Sequence, residues 1–368
     1  MKKSWIIAIV IAPSACAIEP EVEPRAAVTV VTAVTAVPPV TTIDGDPCPE
    51  WGCGENSPVM GPWRFHELDV NGAPNAEGIV LLDFQKDGVS YHPEILDGSQ
   101  LIATSMSQTL TGTALTGGYL RVLTQGGTTL GAVYHINIVK VSAQASSLVR
   151  FWFGRPTSIE TYQLTYSGPG GGGTTAEQPL CNSPPDSTPT TGPVGQSWVQ
   201  PLEAILYSGD RYDAAHKLVT ASSYSTSGGW FNIACAGSAL AKLHLTRHTT
   251  AGSGPGYTAT AAQRQAVLKM YVSDLCGTGH AWTRKGTPLH WTNAPQWSQL
   301  DGTEFAHEAL WTDGGALCLD EHRLGALFDN ASGFLGECTL PACPQVALGA
   351  TLPLGAYLLS AVPANPGS

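Results

Sequence analysis

The chain reads as mostly β, with an N-terminal β-sandwich or barrel. A C-terminal disulfide-bonded α+β domain follows, in which a two-helix unit packs on hairpins. Three observations predict this. Residues 63–166 run in short apolar stretches parted by turn dipeptides, with no ten-residue helical period. Residues 232–276 hold the only strongly helical patterning. Of nine cysteines, the eight beyond Cys16 form an even set, most of them in the second half.

The elements are taken in order. Met1-Lys2-Lys3, an apolar run over 5–12 and Pro13-Ser14-Ala15-Cys16-Ala17 have the layout of an export signal at residues 1–17. The run is too short to span a bilayer. Two processing routes are open. Cleavage after Ala17 releases the chain, whereas cleavage before Cys16 leaves a lipidated cysteine. Residues 18–47 are rich in Ala, Val, Thr and Pro and read as a low-complexity tether.

A β-rich domain is expected over 48–166. Phe65, Leu68 and Val70 begin a strand, and 78–84 is an apolar run suited to burial on both faces. Asp87-Gly88 marks a hairpin, and 119–123 with 133–141 marks another. Residues 161–166 alternate cleanly. The glycine run in 167–177 reads as a linker to an α+β domain at 178–345, followed by an apolar tail at 346–368. In that second domain, 203–207 is a strand and 209–213 a turn. Hairpins are expected over 281–291 around Lys285-Gly286 and over 305–319 around Asp313-Gly314-Gly315.

The first helix is expected over 232–248, with Cys235, Ala239 and Leu243 on one face. The second begins at Thr260, three residues before Gln263, the pattern of a capping box. Gly277 stands where a left-handed terminating residue is expected.

An even cysteine set in an exported chain reads as a disulfide framework. Cys48 with Cys53 and Cys338 with Cys343 are the local pairs. Cys235 with Cys276 would staple the helices, leaving Cys181 for Cys318.

Net charge is −11 and no Lys/Arg cluster exceeds a pair, which argues against nucleic acid as a partner. Charged residues make up only 13%, so Ser, Thr, Asn, Gln and Gly must carry the surface.

The segment Val272-Ser273-Asp274-Leu275-Cys276-Gly277 resembles the signature of the ADYC domain family, named for an Ala-Asp-Tyr-Cys tetrad. Asp274 and Cys276 match it, while Ser273 and Leu275 replace Ala and Tyr. The flanks resemble the family more closely: Trp230-Phe231-Asn232-Ile233-Ala234-Cys235, Lys242-Leu243-His244-Leu245-Thr246-Arg247-His248, and residues 263–271. Residues 209–213 and 315–320 are similar too, as are 51–58 and 75–78. The resemblance implies an exported bacterial protein, often a lipoprotein, and brings no catalytic roles.

Several side chains are candidates for chemistry. His244 and His248 are four apart, which on a helix puts two imidazoles on one face, as a metal site needs. The zinc-protease pattern requires Glu after the first histidine, and Leu245 stands there. The bland alternative is a polar helix end. Cys276 beside Asp274 suggests a thiol nucleophile, but a disulfide is the stronger reading. A carboxylate in a helix's last turn opposes the dipole, so Asp274 needs compensation from Arg247, Lys242 or a backbone amide. Asp210-Arg211-Tyr212-Asp213 offers two carboxylates to calcium, against a turn paired through Arg211. Trp282, Trp291, Trp297 and Trp311 suit sugar stacking or a small core. No phosphate loop or Gly-x-Ser-x-Gly elbow is present.

The expectation is an exported envelope or secreted protein that acts as a non-enzymatic binding or structural module, with no cofactor. Its partner would be an extracellular or envelope protein or glycan, and a membrane would be involved only through lipidated Cys16. The alternative is a secreted hydrolase built on His244, His248 and Asp274.

Overall fold

A computed structural model describes residues 58–96, 99–126, 129–143, 159–168, 177–181, 203–220, 229–235, 238–249, 259–283, 289–291, 305–324, 337–344, 346, 351–353 and 355–363. The chain is mostly β, as expected. Strands β1 (Val59–Met60) and β2 (Trp63–Arg64) form a small ribbon. Strands β3 (Glu67–Asp69), β4 (Ile79–Lys86), β5 (Val89–Leu96), β6 (Gln100–Thr104) and β7 (Thr109–Thr111) follow. A 3-10 turn at Gly112–Leu115 leads into β8 (Tyr119–Gly126), β9 (Thr129–Ser142), β10 (Thr161–Ser167) and β11 (Gln178–Pro179). Next come β12 (Glu203–Ser208), β13 (Arg211–Asp213), β14 (Leu218–Thr220) and β15 (Trp230–Cys235). Helices α1 (Ala239–Leu245) and α2 (Ala261–Val272) precede β16 (His290–Trp291), β17 (Phe305–Thr312), β18 (Gly315–Leu319) and β19 (Leu358–Pro363).

The main sheet is antiparallel throughout, in the order β3-β15-β12-β10-β9-β8-β4-β5-β6-β7, with β11 beside β10. It curls on itself: the Leu101 amide of β6 donates to the Tyr162 hydroxyl of β10 at 2.8 Å. The expected hairpins at 87–88 and between β8 and β9 are both present. Asp87 and Gly88 both adopt positive φ, 51° and 78°, as the tightest hairpin turn requires. Of the 78–84 run, residues 79–81 are buried. A register shift after Leu81 then turns Leu82 outward.

The sheet is continuous across the expected linker at 167–177, because β10 pairs with both β9 and β12. Strands β12 and β15 are a wall between two cores. Ala204, Leu206, Phe231, Ile233 and Cys235 face the interior of the curled sheet. Ile205, Tyr207 and Ala234 face the helices instead. Double-sided burial explains a correction. Residues 230–235 are strand, not the start of the expected 232–248 helix, because their apolar side chains cover both faces of a central strand. The helix begins only after Ser238, whose hydroxyl accepts from the Ala241 amide at 3.1 Å.

The helices lie between that wall and a second sheet of order β16-β19-β17-β18. Its β17–β18 hairpin turns at Thr312 and Gly315, as expected. The hairpin expected over 281–291 is not formed by the described residues. His290 and Trp291 pair instead with β19, from the apolar tail, which lies inside the sheet; 284–288 lie outside the described residues.

Three disulfides are described, and they correct the expected pairing: Cys181–Cys235, Cys276–Cys338 and Cys318–Cys343. The expected helix staple fails because Cys235 sits in β15, inside the curled sheet, on the wall's far side from the helices. Cys48 and Cys53 lie outside the described residues, as do Cys16 and Trp297.

Candidate functional site: the loop after the second helix

Helix α2 starts at the expected capping box: the Thr260 hydroxyl accepts from the Gln263 amide, and the Gln263 side chain accepts from the Thr260 amide. From Arg264 to Val272 it is buried on every side, so its polar residues must find partners in the interior. Arg264 forks onto the Asp210 carboxylate. Gln265 bridges the Val219 amide and the Lys217 carbonyl. Lys269 reaches the Asp274 carboxylate and the His216 carbonyl.

Both helices end alike. Arg247 and Ser273 adopt left-handed φ of 65° and 56°. The amides of Arg247 and His248 then bond the carbonyls of His244 and Leu243. Those of Ser273 and Asp274 bond Met270 and Lys269 in the same pattern, a Schellman ending. The residue that terminates the helix is therefore Ser273; Gly277 is left-handed too, at φ 70°, but stands in the following loop, because the chain leaves the helix four residues earlier than expected.

This ending corrects two readings. His248 lies beyond α1, so the two histidines do not share a helical face. Asp274 lies just past the last turn of α2 rather than in it, still at the negative end of the helix dipole, so its carboxylate needs a cation. Its compensating cation is Lys269 at 2.5 Å rather than Arg247 or Lys242, joined by the Gly279 amide at 2.9 Å. Among the described residues, the other carboxylate oxygen is buried with no hydrogen-bond partner. The loop around it is tightly packed. A Cβ on Gly277 would stand 2.0 Å from the Gly314 carbonyl oxygen, and one on Gly279 would stand 2.5 Å from that of Ala215.

The candidate residues do not assemble into one site. His244 stacks on Tyr207 at 4.3 Å and contacts the Thr249 hydroxyl; burial lowers its pKa to about 4. His248 contacts the Thr246 hydroxyl and is also lowered, first by burial. Asp274 bonds Lys269 and Gly279 instead. Among the described residues, no group of three His, Cys, Asp or Glu side chains is placed to hold a metal ion. Asp210 pairs with Arg264, while Arg211 pairs with Glu67 and covers the Trp230 ring at 3.6 Å. The turn is thus not paired through Arg211, as its two neighbouring charges point to different elements. Trp282, Trp291 and Trp311 are all buried in the helical core.

A polar cluster that the sequence did not reveal lies beside the loop. Arg323 forks onto Glu308 with 2.6 Å contacts, both side chains fully buried, and Ser360 links Glu308 to the Trp311 indole. His322 Nε2 lies 3.5 Å from the Ser273 hydroxyl. Its Nδ1 accepts from the Leu324 amide, so the proton is on Nε2 and points at Ser273. In that tautomer the imidazole cannot take a proton from Ser273. Burial lowers His322 to about 3, with Glu308 opposing and Arg323 reinforcing. Lys242, its ammonium 5.8 Å from the Tyr271 ring, is lowered to about 8 by burial and by Arg323. No sequence spacing links 273, 308, 322, 323 and 360, so no local signal marks the cluster.

The ADYC domain model matches residues 112–325, more than half of the chain. The chain belongs to the ADYC domain family. The ADYC match begins at the 3-10 turn and spans β8 to β18, so it includes both helices and the wall. It ends short of β19, the strand that completes the second sheet. The ADYC tetrad reads Ser273-Asp274-Leu275-Cys276 here, and the structure gives each member a fixed place. Ser273 makes the left-handed turn, Asp274 takes Lys269, Leu275 enters the core and Cys276 bonds Cys338. No curated protein and no solved structure matches the chain.

Proposed function

We propose that this ADYC protein is exported and acts outside the cytoplasm as a non-enzymatic binding or structural module. The observation that carries the reading is the use of six cysteines in three disulfides, four of them buried in the core. Such a framework persists in an oxidising compartment. The leader-like residues 1–17 support the same reading. Engagement of Asp274 by Lys269, and of His244 by Tyr207, supports a structural use of side chains that a hydrolase would need free.

The test is expression with the native N-terminus in a Gram-negative host, followed by fractionation and intact mass of the N-terminal peptide. A lipidated Cys16 or an N-terminus at residue 18, in an envelope or secreted fraction, is the expected result. An unprocessed cytoplasmic chain overturns export. Hydrolysis of peptide, ester or glycosidic reporters that is lost in His244→Gln would overturn the non-enzymatic part.

A further inference from the structure

We propose that the Cys276–Cys338 disulfide is a thiol–disulfide exchange site, open to a dithiol reductant while the other two described disulfides stay closed. The three bonds differ in access. Cys181, Cys235, Cys318 and Cys343 are buried, whereas Cys276 and Cys338 are both partly exposed. Exposed residues stand close by in the chain: Thr278, two positions past Cys276, and Thr339, next to Cys338. Exchange begins with a thiolate reaching one sulfur of the pair, so access decides which bond opens first.

The surroundings are built to survive the opening. Thr278 and His280, just past Cys276, both contact the carboxylate of Glu337, the residue before Cys338. This non-covalent clip spans the same two segments as the disulfide. Asp274, two residues before Cys276, stays anchored to Lys269 and Gly279. On the other side, Cys318–Cys343 holds the 337–344 segment to β18, and the Leu319 amide bonds the Pro341 carbonyl. Reduction would separate the ADYC loop from 337–340 covalently and leave both ends in place for reoxidation to the same pair.

The chemistry balances with a dithiol as the reductant. Its thiolate attacks one sulfur, forming a mixed disulfide and releasing the other cysteine as a thiolate that takes a proton. The second thiol of the reductant then closes its own disulfide and releases the remaining cysteine. Two electrons pass from the dithiol to the bond, and the dithiol leaves oxidised.

The test uses the full oxidised chain and limiting dithiothreitol under native conditions. Samples are quenched with N-ethylmaleimide and mapped by peptide mass. Cys276 and Cys338 are expected to become alkylated at least about tenfold faster than Cys181, Cys235, Cys318 and Cys343. Near-ultraviolet circular dichroism should be retained through that phase. A C276S/C338S variant should lose the fast phase and keep the slow ones. If that variant fails to fold, the wild-type kinetics decide alone. Simultaneous opening of all three bonds, or a faster reaction at either buried pair, overturns the proposal.

Discussion

Lys269 and Asp274 are joined twice: the Asp274 amide bonds the Lys269 carbonyl, and the Lys269 ammonium bonds the Asp274 carboxylate. The two side chains expose 1% and 0% of their surface. The residue just past the helix end is thus tied to its last turn through both backbone and charge. Removing one partner leaves the other charge buried alone. Asp274→Ala should therefore lose about 3–5 kcal/mol of stability in urea unfolding. The double variant Lys269→Met with Asp274→Leu should recover much of that loss. An Asp274→Ala protein as stable as wild type would refute the structural role.

Acid should weaken the protein partly through Glu308. Burial alone would raise its carboxyl pKa, but the Arg323 guanidinium, His322 and Ser360 outweigh burial and hold it below its ordinary 4.5. A carboxyl with a lowered folded pKa stabilises fully above the unfolded value, and that contribution fades as pH falls through the folded one. The stability of wild type should therefore drop below pH 4.5. Glu308→Gln, already weakened at pH 7 because Arg323 is left unpaired, should show a shallower drop.

His244 acts in a higher window. It is held neutral in the fold with a pKa of about 4 against an ordinary 6.5. The unfolded chain therefore binds the extra proton first, and stability falls as pH drops from 6.5 towards 4. One such group contributes a slope of up to about 1.4 kcal/mol per pH unit. His244→Phe, which can keep the stack on Tyr207, should flatten the profile across that window. Proton NMR of wild type should show the His244 ring still neutral at pH 5.

The capping box at the start of α2 gives a smaller, local effect. Thr260→Ala should cost about 1 kcal/mol in thermal or urea unfolding. Thr260→Asp should cost less, since an aspartate can accept the same Gln263 amide bond.

The local elements were legible where the code is short-range. The Asp87-Gly88 hairpin, the β17–β18 turn and the Thr260 box each follow from two to four adjacent residues. Residues 230–235 misled because apolar content over a short stretch suits a buried helix and a doubly buried strand equally well. Only the flanking strands β12 and β3 make it a strand. The candidate site was legible in part. A buried ion pair at Asp274 follows from a carboxylate near a helix end, but its partner does not. A helix continuing to Cys276 would aim both side chains differently, so the Lys269 partner depends on where the helix ends.

The sequence by itself determined the β-rich class, the position of the second helix, the disulfide character of the cysteines and membership of the ADYC family. The first three rest on composition, periodicity and adjacent residues, and the family on the resemblance of whole segments around residues 230–277. The tertiary structure decided which cysteines meet, which cation neutralises Asp274, and that β3–β10 and β12–β15 share one sheet. Those depend on contacts between residues tens of positions apart. Pairing at that range is set by which faces must be buried together, and no local spacing records it.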